Sequence, residues 1–248
     1  MQRFLTIFLS FGVFATLSGA CSSSSGTSSG GAAAGDAGAD AAEGGNTTGC
    51  TSARKQLLTP VDKTSTGEVS IVSDTNGAKL IYVDASAGGQ QKAPTNPRVY
   101  LDLAAGTAVA VTDVSATTST AWDLAVKRAV IYTNGGDAGP GQGSAVLINK
   151  SFASVTAADA DAATPAKEAF FDADCNPSLD PTGAVMTTFS DWYDYDQVTN
   201  IPAPKDVTYV VTGGVGTRYK VAITSYSAQP DGGAGQSTGF FLFKVAPL

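Results

Sequence analysis

The hydrophobic pattern of this chain is dominated by short runs of period two. Residues 68–72, 79–84, 98–103 and 107–114 are rich in Val, Ile, Tyr and Thr and are separated by Thr, Gly, Asn and Pro, so each has strand length and none helix length. Asn76-Gly77 between the first two predicts a tight hairpin turn, since both residues accept positive φ at low cost. Over residues 122–132, Trp122, Leu124, Val126, Val130 and Tyr132 alternate with Asp123, Ala125, Lys127 and Ala129, and Arg128 is the one charge on the apolar face. That alternation predicts one long strand. Asn134-Gly135-Gly136 ends it, and Gly139, Pro140, Gly141 and Gly143 lead into a further strand at 145–148.

The last third returns to strands at 207–212, 218–226 and 238–245. Tyr219, Val221 and Ile223 share a face opposite Lys220, Ala222 and Thr224, and the run 240–243 is apolar on both faces, which places it centrally in a sheet. One helix is expected: Thr156-Ala157-Ala158-Asp159 resembles a capping box, and the alanine-rich run after it stops before Pro165. Phe170 and Phe171 read as core. The pattern therefore describes an all-β, β-dominated single domain over residues 50–248, with about ten strands and one short helix.

The first 49 residues have a different character. Arg3 precedes an apolar stretch at 4–16 that is too short to span a bilayer, and Leu17-Ser18-Gly19-Ala20 ends in small residues before Cys21. Residues 1–20 read as a secretory signal peptide, and the residues ending at Cys21 resemble a bacterial lipobox, with Ser18 where Leu is usual. Lipidation of Cys21 would anchor the chain to a membrane without a spanning helix. Ser22 is not the Asp of inner-membrane retention, so the expected location is the outer membrane or cell surface. Residues 21–49, built mainly from Ser, Gly, Ala and Thr, cannot offset their ordering entropy and read as a disordered tether, with a random-coil span of about 30 Å.

Composition narrows the chemistry. A net charge of -7 argues against nucleic-acid partners, which need clustered Lys and Arg. Histidine is absent, so Ser-His-Asp triads, Cys-His pairs and His-based zinc sites cannot form. With Cys21 assigned to lipidation, Cys50 and Cys175 are an even pair in an exported chain and are expected to form a disulfide.

Three stretches carry candidate chemistry. The glycine loop at 134–143 lacks the Lys-Ser/Thr ending of a phosphate loop and enters a strand instead of a helix, which argues against nucleotide binding. Asp172, Asp174, Asn176 and Asp180 have the alternate-residue spacing of calcium ligands, although Pro177 and Gly183 stand where an EF-hand has Gly and Glu. The alternative there is a polar turn pinned by Cys175. In Ser190-Asp191-Trp192-Tyr193-Asp194-Tyr195-Asp196, aromatics interleave with carboxylates, which suits sugar stacking or, with Asp191, Asp194 and Asp196, a catalytic pair; the bland alternative is core aromatics with solvated neighbours. Lacking an activated nucleophile or a metal motif, the chain reads as a non-enzyme.

The segment from Trp122-Asp123-Leu124-Ala125 through Thr133-Asn134-Gly135-Gly136 and its glycine loop resembles the signature of the HmuY-like family. So do Tyr209-Val210-Val211 and Tyr219-Lys220-Val221-Ala222-Ile223-Thr224-Ser225-Tyr226. This resemblance implies a β-rich, surface-attached lipoprotein of a group whose best-known members hold haem with paired histidines, or methionines, and pass it to an outer-membrane receptor. Here no histidine exists and Met186 is the one methionine left after signal-peptide removal. Haem or another porphyrin would need a single axial ligand, Met186 or a tyrosine such as Tyr132, Tyr193 or Tyr195, with Trp192 among the aromatic walls. The alternatives are a structural or protein-interaction lipoprotein with no small-molecule site, or a carbohydrate-binding module.

Overall fold

A computed structural model describes residues 50–181, 183–198 and 201–248. The expected signal peptide, Cys21 and the expected tether lie outside the described residues.

Among the described residues the chain forms twelve strands and two α-helices. The strands are β1 (Val69–Thr75), β2 (Ala78–Asp84), β3 (Val99–Asp102), β4 (Thr107–Ala108), β5 (Leu124–Lys127), β6 (Val130–Thr133), β7 (Ser144–Ile148), β8 (Tyr193–Asp196), β9 (Ile201–Pro204), β10 (Thr208–Thr212), β11 (Arg218–Ser225) and β12 (Phe240–Pro247); the helices are α1 (Thr51–Leu58) and α2 (Ala157–Ala162). Six strands build one antiparallel sheet in the order β1-β2-β12-β11-β10-β7, four build a second in the order β4-β3-β5-β6, and β8 pairs with β9. The β-dominated expectation holds, and β12 is central as its two-sided apolar run requires. The β1–β2 turn is Asn76-Gly77, with φ of 55° and 75°.

The two larger sheets share one apolar core. Ile81, Val83, Tyr209, Val211, Val221, Phe241 and Phe243 from the six-stranded sheet pack with Val99, Leu101, Leu124, Val126 and Ile131 from the four-stranded one, all nearly inaccessible to solvent. The small sheet is covered on its other face too. Tyr100, Ala125 and Tyr132 there meet Trp122, Phe170, Phe171 and, from α1, Ala53, Leu57 and Leu58.

Three expectations need correction. The long strand over 122–132 is a hairpin: Lys127 pairs with Val130, and Arg128 takes φ 53° at the turn. Alternation continues across this two-residue turn, so periodicity alone could not show the reversal. As a result Leu124 and Val126 face the core between the sheets, while Trp122, Val130 and Tyr132 face the outer layer. The run 107–114 keeps only β4 in the sheet, because Asp113 turns inward to accept from the Val61 and Arg98 backbone N–H groups. Finally, α1 was not expected. It has no side-chain N-cap, and its first turn is instead secured by the disulfide at Cys50. The expected helix is present as α2: Thr156 Oγ1 accepts from the Asp159 N–H, and Asp159 accepts in return from the Thr156 N–H.

Candidate functional site

The glycine loop is a structural joint. Asn134, fully buried, donates through Nδ2 to the carbonyls of Trp122 (2.8 Å) and Ser119 (3.0 Å), and its Oδ1 accepts from Gly141 N–H at 3.1 Å. A side chain at Gly135 would strike the Gly143 carbonyl, and one at Gly139 would lie between Asn134 Oδ1 and the Trp122 ring. Asp123 completes the joint by accepting from Leu103 N–H (2.8 Å) and Gly214 N–H (2.9 Å). The glycine loop thus owes its composition to backbone close approach, and the Asp123 and Asn134 side chains are spent on holding it.

A cavity of about 210 Å³ opens between α1 and the outer face of the small sheet. Tyr100, Trp122 and Tyr132 form its aromatic walls, and Ala116, Ala125 and Ala138 leave the space that larger side chains would fill. The Tyr100 and Trp122 rings meet edge-on at 5.1 Å, and the Arg98 guanidinium covers the Tyr132 ring at 5.0 Å.

Polar anchors fix this arrangement. Asp113 Oδ2 accepts from Arg98 Nη1 at 3.0 Å and from Val61 N–H at 3.1 Å; its Oδ1 accepts from Arg98 N–H and from the Tyr100 hydroxyl, both at 3.0 Å. Arg98 Nη2 donates to the Leu58 carbonyl at the end of α1, at 2.8 Å, and Arg54 Nη2 donates to the Ala138 carbonyl at 3.1 Å. Burial works against the Arg98 charge, but Tyr132, Asp113 and Tyr100 together outweigh it and raise its pKa. Burial, reinforced by Asp113, pushes the Tyr100 hydroxyl far above its ordinary range, so it acts as a donor. Burial lowers the Arg54 pKa, opposed by nearby Asp137.

The residues singled out in the sequence are dispersed. Tyr132 lines the cavity. Trp192 instead lies in the core between the sheets, packed against Tyr226 and Phe241, with its indole N–H donating to the Ala129 carbonyl at 3.0 Å. Tyr193 is half-buried against Trp192, with ring centroids 4.6 Å apart. Tyr195, at 55% exposure, and Met186, at 45%, face solvent. Asp191, Asp194 and Asp196 are exposed, and Asp194 pairs with Lys205 at 3.5 Å.

Cys50 and Cys175 are bonded, as expected, and tie α1 to the segment that follows Phe171. Around Cys175, Asp172 Oδ1 accepts from the N–H groups of Asp174 (2.9 Å) and Asn176 (2.8 Å), and Oδ2 from Asn176 Nδ2 (2.9 Å). These bonds, led by those from Asn176, hold the Asp172 carboxyl below its ordinary range. Asp180 accepts from Ala184 N–H at 2.9 Å. Among the described residues no three acidic or cysteine side chains converge as metal ligands, so Asp172, Asp174 and Asp180 are not gathered around one point.

Sequence reasoning missed Arg54, Arg98, Asp113 and Glu168. The buried Glu168 takes four hydrogen bonds, from the N–H and hydroxyl of both Thr133 and Thr188. Arg98 and Asp113 lie in runs that read as ordinary strands, so only the pairing of opposite charges across 15 residues could have signalled them.

The β-rich fold described above agrees with the sequence comparison. The family model described as HmuY protein matches residues 95–239, more than half of the chain, and the chain belongs to the HmuY family. Arg98, Tyr100, Asp113, Trp122 and Tyr132 fall within the match, whereas α1 lies outside it. No curated protein matches the chain significantly. Among solved structures, a candidate HmuY-like heme binding protein from Bacteroides vulgatus is 18% identical, over 73% of this chain and 98% of its own, with a TM-score of 0.44. A candidate lipoprotein from Bacteroides fragilis is 16% identical over 73% and 95%, with a TM-score of 0.43. An apo HmuY analog from Tannerella forsythia is 15% identical over 71% and 100%, with a TM-score of 0.38.

Proposed function

We propose that this chain is an exported, lipid-anchored binding protein of the HmuY family that captures its ligand through aromatic and apolar walls, without ligating an iron. Family membership supports the binding role, and the signal-peptide pattern of residues 1–20, followed by Cys21, supports export and anchoring at the outer membrane or cell surface. The observation that carries the absence of iron ligation is the dispersal of the axial candidates. Without histidine, only Met186 and tyrosines remain; Tyr132 lies under the Arg98 guanidinium, Tyr193 packs on Trp192, and Met186 and Tyr195 are solvent-facing.

These residues do not fit a haem held by two axial protein ligands. Nor does the cavity: about 210 Å³ lies below the roughly 300–1,000 Å³ of sites for drug-sized ligands and cannot enclose a tetrapyrrole. In this reading a porphyrin would sit outside that cavity, with no protein ligand on its iron. Comparing haemin with metal-free protoporphyrin IX tests this reading directly, since iron ligation makes haemin the tighter ligand.

A second reading, a lipoprotein that acts by protein contact with an outer-membrane receptor or other partner, has one observation in its favour. The β8–β9 hairpin region exposes Tyr195, Val198 and Ile201, with Val198 at 90%. Replacing all three with Ser would abolish co-purification of such a partner while leaving ligand binding intact.

A further inference from the structure

We infer that the cavity beneath α1 is a binding site for a small planar aromatic carboxylate, one ring bearing one acid group. The inference rests on the reading of the domain as a binder, but its occupant differs from a porphyrin and is tested separately.

Size limits the occupant first. A closed apolar void of about 150 Å³ accommodates one benzene; this cavity, at about 210 Å³, has room for one ring and a small substituent. Interiors rarely leave space larger than a water unfilled, yet here three alanines, Ala116, Ala125 and Ala138, line the cavity together with the rings of Tyr100, Trp122 and Tyr132. Those rings offer flat, apolar walls suited to a planar guest.

Charge selects the substituent. The groups facing the cavity are Arg54, Lys55, Arg98 and Asp113, with Asp137 close to Arg54. Asp113 and Arg98 neutralise each other and are bound to the surrounding backbone and to Tyr100. Asp137 is engaged through Oδ2 by the Phe170 N–H at 2.6 Å. Three cations against two carboxylates leave a net positive mouth in a chain whose overall charge is -7.

Arg54 is the specific element. It is half-buried on the cavity side of α1, and its Nη2 donates to Ala138 O. A guanidinium carries five N–H donors in a planar fork that matches a carboxylate. An anion seated against that fork would offset the desolvation that disfavours the Arg54 charge, while exposed Lys55 adds attraction at the rim. A neutral ring gains no such contact, and a cationic one is repelled.

The test uses the mature lipid-anchored chain in detergent solution, titrated by calorimetry with 4-hydroxybenzoate and with its uncharged isostere 4-hydroxybenzamide, against a detergent blank. The acid is expected to bind one per chain, about tenfold or more tighter than the amide. Arg54→Gln, which can still donate to the Ala138 carbonyl, is expected to bring the acid down to the affinity of the amide without lowering Tm. Thr117→Trp, at an exposed position on the cavity lining, is expected to block both ligands. If Arg54→Gln proves poorly folded, Lys55→Gln and added salt give the same reading by weakening the acid and not the amide. Absence of binding by the acid, equal affinities for acid and amide, or acid binding that survives both charge removals overturns the inference.

Discussion

Arg98 Nη1 and Asp113 Oδ2 are 3.0 Å apart, with side chains 9% and 1% exposed, in the layer between the small sheet and α1. The carboxylate also gathers the Tyr100 hydroxyl and the Val61 N–H, so one residue joins β3, the segment after α1 and a cavity wall. Removing one partner of a buried pair leaves an uncompensated charge, at a typical cost of about 3–5 kcal/mol. Asp113→Ala is therefore expected to lower the unfolding free energy by about that amount in a urea titration. A loss under about 1 kcal/mol would show that the pair is solvated in solution.

The Cys50–Cys175 bridge closes a loop of sequence separation 125 and holds the start of α1. Replacing both cysteines with serine should cost about 2–5 kcal/mol by loosening the unfolded-state constraint. Amide exchange should accelerate first in residues 51–58, because α1 has no buried residue and no side-chain N-cap. If exchange there stays as slow as in β12, other contacts hold the helix.

Glu168 makes stability depend on pH. Burial pushes its carboxyl above the ordinary 4.5, although the bonds from Thr133 and Thr188 oppose the shift. Below pH 4.5 the folded state has the full advantage of this group; as pH rises through the raised folded pKa, the unfolded chain ionises first and that advantage is lost. Asp123, raised by burial, acts in the same direction. Calorimetric Tm should therefore rise on acidification from pH 7 toward 4.5, and Glu168→Gln should flatten the rise. Parallel curves for the two proteins would remove Glu168 as a cause.

Much of the fold was legible because strand residues alternate where one face is buried, and because Asn76-Gly77 and the Thr156–Asp159 box are local chemistry. The small sheet was less legible. Its two faces are both covered, so Ala125 and Tyr132 read as opposite faces of one long strand when both belong to the outer layer covered by α1. That helix could have been suspected from Ala53, Leu57 and Leu58 at helical spacing among good helix formers. The candidate site was hardly legible: Arg54, Arg98 and Asp113 become neighbours only through β3, the 115–118 turn region and α1 coming together, and no local pattern marks them.

The β5–β6 turn gives a direct check of the missed reversal. Arg128 sits at φ 53°, a region that costs most non-glycine residues about 1–2 kcal/mol, and a β-branched side chain suffers most there. Arg128→Gly is expected to be more stable than Arg128→Val by about 1–2 kcal/mol in urea. Equal stabilities would mean that the segment is extended in solution.

The central claim is capture without iron ligation, and parallel titrations of the mature chain with haemin and metal-free protoporphyrin IX address it most directly. The account predicts no preference for haemin and no Soret shift reporting a protein ligand on the iron. Haemin binding about tenfold or more tighter than the metal-free ring, with a stoichiometric Soret shift, would contradict it.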